Sequence, residues 1–213
     1  MNFLPDTPAL LAYTVACAVL FITPGPDMSL FLAKTVSGGR RAGIASMLGA
    51  SLGCMVHTLL AAIGLSALLA ASTTAFTIVK VVGALYLLWL AIDAIRSGSA
   101  LNVKAQNTGG EPFLRTLLLG AGVNLTNPKV VLFFVTFLPQ FVRAGDPDAA
   151  AKLVFLGLYY VIFSIPFAII MILGAERLIN FLKGRQRVMR AIDWTFAGVF
   201  GYFAIHILAT QNR

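Results

Sequence analysis

Two short segments hold the residues whose types and spacing could do chemistry: Thr23-Pro24-Gly25-Pro26-Asp27-Met28 and Thr126-Asn127-Pro128-Lys129-Val130-Val131. Each interrupts a long apolar run and sets an ionisable residue directly after a proline. Proline lacks the backbone donor and clashes with the preceding turn, so a helix breaks there. Pro24, Pro26 and Pro128 strand the carbonyls four residues back, those of Leu20, Ile22 and Asn124, which can accept from an ammonium group. Half-helices beginning near Met28 and Val130 point free N–H groups at the breaks, where a carboxylate is favoured. Acceptors and donors side by side suit a zwitterion.

Asp27 and Lys129 are the charges at these breaks. A charge at the bilayer centre costs about 2.5–3.5 kcal/mol on insertion scales, and such residues usually mark substrate or ion paths. Two uses stand open: a static ion pair that locks the segments together, or direct handling of substrate and protons. In the second use, burial raises the proton affinity of Asp27 so that it loads on one side and unloads on the other. His57, near the middle of an apolar run, is a candidate proton relay because its ordinary pKa lies near neutrality; a packing role is the plainer reading. The candidate substrate and proton residues are Pro24, Gly25, Pro26, Asp27, Asn124, Asn127, Pro128 and Lys129, with backbone contacts from Leu20 and Ile22.

The elements that must position these residues are membrane helices. Of the 213 residues, 59% are hydrophobic and 11% charged, against about 25% charged in soluble domains. Apolar runs of about 20 residues, the length that spans a bilayer, are expected over 9–35, 42–71, 76–96, 113–142, 152–175 and 191–209. The fold class is therefore all-α and polytopic, one membrane transport domain of about six spans with helices one and four broken at proline. No cleavable leader is expected, because Met1 to Pro8 lacks Lys and Arg.

The net charge of +8 is distributed as a topology signal rather than as a nucleic-acid surface. With the N-terminus outside, the cytoplasmic loops hold Lys34, Arg40, Arg41, Arg96, Lys104, Arg115, Arg177, Lys183, Arg185, Arg187 and Arg190. The outer side holds Lys80, Arg143, Lys152 and Arg213, and Lys129 lies in the membrane. This positive-inside bias favours both termini outside. The run Lys183 to Arg190 reads as an anchor beside anionic lipid. Cys17 and Cys54 lack metal-ligand spacing and read as small buried hydrophobes; no metal site and no cofactor is indicated.

Aligning Pro26 with Pro128 pairs Leu30 with Leu132, Phe31 with Phe133 and Asp27 with Lys129. Three spans per half, 1–97 and 113–213 joined by a cytoplasmic linker 98–112, would enter the membrane in opposite senses, as in inverted-repeat transporters. At about 1.5 Å per residue, both breaks fall roughly 15 Å from the cytoplasmic boundary and could face one another. Gly49-Ala50-Ser51-Leu52-Gly53, extended by Ala45, lets helices pack closely, within the chain or across a homodimer. Asp93 and Arg96 read as a surface pair. Tyr86 and Trp89 could line a cavity or simply pack. Asn124-Leu125-Thr126 matches a glycosylation pattern at a depth where it has no meaning.

Ile22 to Met28, Ser37-Gly38-Gly39-Arg40-Arg41-Ala42-Gly43, Gly83 to Leu90 and Asn124 to Lys129 together resemble the LysE/RhtB family of bacterial amino-acid exporters. The resemblance covers essentially the whole chain and sits nearer the homoserine/threonine branch than the basic amino-acid branch. It implies a multi-pass inner-membrane protein, not an enzyme, that exports amino acids or close derivatives by proton antiport. Many members carry Asn where this chain has Asp27, which weakens Asp27 as a universal proton carrier. The alternatives are a metal or small-ion exporter, which would want clustered carboxylates or His, and a thiol-redox carrier, which would want a cysteine at each break.

Overall fold

Helix ends follow from local chemistry. The computed structural model describes residues 5–98, 111–143, 146–182 and 185–210, and every regular element among them is helical. Helix α1 (Thr7–Ile22) starts where the Asp6 carboxylate accepts from the Ala9 N–H at 2.8 Å, a standard N-cap that satisfies an orphan donor. It stops at Thr23, whose backbone N–H and hydroxyl both turn back to the Val19 carbonyl. Pro26 opens α2 (Pro26–Ala71). Ser72 caps α3 (Thr73–Ser97) by accepting from the Ala75 N–H.

At about 1.5 Å per residue, the 46 residues of α2 would be about 69 Å long if straight, more than twice the roughly 30 Å hydrocarbon core. They are not straight. Gly39 has φ 74° and ψ 178°, a left-handed conformation open to glycine and strained for other residues. There the chain doubles back into arms 26–38 and 40–71, so that Asp27 and Cys54 line one pocket. A methyl placed on Gly43 would lie 2.1 Å from the Thr35 hydroxyl, a contact that only a hairpin allows. The expected spans 9–35 and 42–71 map onto α1 with arm 26–38 and onto arm 40–71. Among the described residues four helices, or five spans if the bent pair Phe113–Leu125 and Pro128–Phe141 counts as one, are long and apolar enough to cross a membrane, against the six expected.

The second half takes a similar course. Helix α4 (Phe113–Leu125) and α5 (Pro128–Leu132) meet at a 54° bend. Beyond α5 the chain widens into a π-helical turn, Phe133–Phe137, in which the Leu138 N–H reaches back five residues to the Phe133 carbonyl. A short 3-10 turn, Leu138–Phe141, then carries Pro139. Helices α6 (Ala149–Leu173), α7 (Ala175–Leu182) and α8 (Gln186–Thr210) complete the chain. Most of the expected linker 98–112 lies outside the described residues, as do Lys104, Lys183 and Arg213 of the charge pattern.

Outward faces are apolar: Ile63 is 71% and Ile170 68% exposed, as lipid-facing residues should be. Inside, Tyr13, Phe133, Phe137 and Phe200 are buried in one aromatic core, and the Tyr13 hydroxyl donates to the Leu156 carbonyl at 2.9 Å. The small-residue row packs within the chain: methyls on Gly49 and Gly120 would meet backbone of α4 and α2 at 1.9 and 2.3 Å. Trp89 is half-exposed against Tyr86 and neither lines the central pocket.

Three charges have partners that the sequence pattern does not reveal. Lys34, counted among loop cations, is buried on arm 26–38, because the Glu111 carboxylate at the end of the linker reaches it. Asp93 accepts from the Ser97 hydroxyl at 2.8 Å rather than pairing with Arg96; a serine one turn away competes at lower entropic cost. Arg190 of the basic run donates to the Ile95 carbonyl at 3.0 Å, closing an orphan acceptor at the end of α3.

The Gly49 contact predicts a sharp local sensitivity. Gly49→Ala would set a methyl against the Leu117 carbonyl, which is backbone and cannot swing aside, so a loss of about 1–3 kcal/mol is expected. Gly64→Ala, where nothing lies within 4 Å, should hold stability or raise it by up to about 1 kcal/mol through helix propensity. Thermal unfolding in detergent checks the pair; equal responses would count against backbone contact between α2 and α4.

Candidate functional site

The missing N–H of Pro24 leaves the Leu20 carbonyl without its helical partner, and the break after Thr23 does the same for the Thr23 carbonyl. Lys129, on the other half of the chain, fills both vacancies: its Nζ donates to Leu20 O at 3.0 Å and to Thr23 O at 2.6 Å. The converse hold comes from Asn124, whose Nδ2 donates to Asp27 Oδ2 at 2.8 Å. Each charge is thus gripped by the break of the opposite half. Hydrogen bonds to a charged group contribute about 1.5–3 kcal/mol each, so two of them go far to offset the cost of holding the ammonium away from water.

A direct ion pair between Asp27 and Lys129 is not formed, whereas Lys34 pairs with Glu111 and Lys152 with Asp146. Geometry explains this, since the carbonyl pair draws the ammonium toward α1. Ile22 contributes no carbonyl to Lys129; the extended Thr23 (ψ 122°) turns its own oxygen inward instead. Asn127 is buried, and its Oδ1 accepts from the Lys129 backbone N–H at 3.1 Å. That cap occupies the donor that was expected to be free at the second half-helix. Two polar atoms, Asp27 Oδ1 and Asn127 Nδ2, remain buried without a hydrogen bond of good geometry.

Glycines make room for this arrangement. A methyl on Gly53 would lie 2.5 Å from Asn124 Oδ1, and one on Gly25 would lie 3.1 Å from Lys129 Nζ. Pro24 is buried, whereas Pro26 and Pro128 are exposed and serve as first residues of α2 and α5. His57 is buried, with Nε2 3.5 Å from the Asn124 carbonyl and its ring stacked on Phe134.

Asp27, Asn124 and Lys129 line one narrow pocket, with about 40 Å³ open to the centre of a water molecule. Tyr160, Ser164, Ser51 and Cys54 line it too, and none was picked out from the sequence as a site residue. Their one signal is spacing: Tyr160, Ser164 and Ala168 recur every four residues along α6, just ahead of or beside Pro166. The Cys54 thiol is 3.5 Å from Asn124 Oδ1, so it does more than fill space. Among the described residues, no group of three or more His, Cys, Asp or Glu could hold a metal ion, and Cys17 and Cys54 are both free thiols.

A second polar contact ties arm 26–38 to the end of the linker, near Gly39. Lys34 Nζ lies 2.5 Å from Glu111 Oε2, with side chains 10% and 23% exposed. Arg41 sits over the Phe113 ring at 5.9 Å beside it.

The sequence profile described as LysE type translocator matches residues 18–211. Over 192 residues the chain is 30% identical to a homoserine/homoserine lactone efflux protein of Salmonella typhimurium, covering 89% of this chain and 90% of that one. A leucine efflux protein of Klebsiella pneumoniae is 25% identical over 202 residues, covering 95% of each. An uncharacterised membrane protein of Bacillus subtilis is 34% identical over 143 residues, 63% of this chain and 68% of its own length. No solved structure matches the chain.

The Lys34 hydrogen bond and charge, with Arg115 nearby, hold the Glu111 carboxyl below its ordinary value of 4.5. A carboxyl lowered in the folded state adds stability above its unfolded pKa and loses it as pH falls through the lower folded value. Wild type should therefore exceed Glu111→Gln in thermal midpoint by a constant margin at about pH 6–8, a margin that shrinks below about pH 4.5. A margin independent of pH would mean that the ion pair contributes nothing.

Proposed function

The chain belongs to the LysE family of translocators, and from that premise we propose that it exports amino acids or close derivatives across the bacterial inner membrane in exchange for protons. It is a polytopic membrane transporter and not an enzyme. The relatives named for homoserine, homoserine lactone and leucine efflux support the substrate class and supply the outward direction. One observation carries the site: the crossed hold of Asp27 and Lys129 within a single pocket.

Both ends of a zwitterion find a counterpart there. A substrate carboxylate competes for the Lys129 ammonium and draws it off the Leu20 and Thr23 carbonyls. Those oxygens, once free, accept from the substrate ammonium. Substrate thus replaces an internal set of hydrogen bonds with one of like strength, so that binding and release are both possible at modest cost. Asp27 takes the coupled proton on Oδ1, the atom lacking a good partner, and His57, against Asn124, is placed to pass it on. Pro24, Gly25, Pro26, Asn127 and Pro128 hold this geometry without touching substrate chemistry.

The same reading takes the two halves as inverted repeats, with both termini outside. In its support, arm 40–71 packs on α6, α3 packs on α8, and the two broken segments meet through Asp27, Asn124 and Lys129.

Reconstituted protein tests the assignment. Asp27→Asn is expected to abolish stimulation of labelled amino-acid counterflow by a proton gradient while leaving substrate binding within a few-fold. Lys129→Ala is expected to cut both by about 10-fold or more, as loss of a charge-assisted contact. Normal proton-driven export by both variants, correctly inserted, would refute the site.

A further inference from the structure

The central pocket has a polar end and an apolar end, and three helices run from one to the other in step. Arm 26–38 carries Asp27 and then Phe31; arm 40–71 carries Cys54, Ser51 and then Met47; α6 carries Tyr160, Ser164 and then Ala168. In each row the wall turns from polar to apolar within one or two turns, at about 5.4 Å per turn. Phe31, Met47 and Ala168 meet at the far end in a hydrophobic cluster separate from the aromatic core, with Ile172 and Phe21 around them.

We propose that Phe31, Met47 and Ala168 form the subsite that reads the substrate's side chain, selecting uncharged aliphatic amino acids, with Ala168 setting the length admitted. The inference rests on the export reading above, because it takes the substrate's head group to lie at Asp27 and Lys129.

Charge and shape both support it. Asp27 and Lys129 are the charged residues lining the pocket, and each is already held by Asn124 or by carbonyls at the polar end. A charged side chain reaching Met47 would meet no counter-charge, and burying an unpaired charge is strongly unfavourable. The Ser51 and Ser164 hydroxyls donate to the Met47 and Val161 carbonyls of their own helices, which leaves them as acceptors partway along. Methionine is pliable and adapts to several aliphatic shapes. Ala168, like Ala50, is among the smallest side chains lining the pocket, so a larger residue there would shorten the apolar end.

Competition in proteoliposomes, scored per correctly inserted protein, tests this directly. Against labelled leucine counterflow, unlabelled leucine and methionine should compete with wild type, whereas lysine and glutamate should not. Ala168→Val should lower the leucine-to-alanine transport ratio by about 10-fold or more, the usual discrimination for a methylene in an apolar pocket. Met47→Ala should shift preference the other way, toward phenylalanine. If Ala168→Val fails to insert, Ala168→Gly reads the same wall by favouring longer side chains. Equal losses for alanine and leucine in these variants, or competition by lysine matching leucine, would overturn the subsite while leaving amino-acid export standing. Wild-type protein that moves no amino acid would overturn both.

Discussion

A lysine drawn in among apolar helices is tolerable only if something of opposite polarity meets it, and here that partner is backbone released by proline. Leu20 would normally accept from residue 24; because that residue is Pro24, the oxygen is open to the Lys129 ammonium. Much else in the molecule serves this contact. Thr23 ends α1 so that its own carbonyl joins Leu20's, Gly25 leaves the ammonium room, and Asn127 pins the start of α5 so that Lys129 points across. The aspartate at the matching position is gripped in return by Asn124, which Gly53 allows to approach. Neither half could bury its charge alone, so the two must fold against each other.

Close approach of backbones is the second requirement, and it explains where side chains are absent. Glycines at 49 and 120 bring α2 and α4 together, and glycine at 157 admits Thr58 between α2 and α6. Arm 40–71 is thereby wedged between the helices that carry Asn124 and Tyr160. Its reversal at Gly39 is a matter of backbone angle alone, since nothing lies within 4 Å of a side chain placed there. Lys34 and Glu111 then fasten arm 26–38 to the linker just ahead of α4, near that reversal.

Legibility in the sequence divides along the line between local and tertiary causes. Proline's effect on a helix is local, so the breaks, the stranded Leu20 oxygen and the positions of Asp27, Asn124 and Lys129 were all visible in the residues. The apolar spans were visible for the same reason, each lying within a few residues of its helix. Which oxygen would replace that of Ile22 was not visible, because it depends on the ψ angle of Thr23. Nor could Tyr160 and Ser164 be linked to the breaks, since a four-residue spacing on an apolar helix is equally a packing face. Lys34 misled for a related reason: a lysine near a span end looks like a loop cation until a glutamate 77 residues away is found beside it. Arg190 differs again, because its carbonyl partner belongs to a helix no local pattern connects to it.

The wide turn at Phe133–Phe137 has a consequence of its own. An added residue per turn rotates the chain beyond it, and Phe133, Phe134 and Phe137 all come to face inward with Tyr13 and Phe200. Rings packed at mixed angles then fill the half of the bundle away from Gly39, where the buried hydroxyl of Tyr13 is already committed to Leu156. Buried rings offer water few hydrogen-bonding partners, so this side of the bundle resists wetting while the pocket side stays polar.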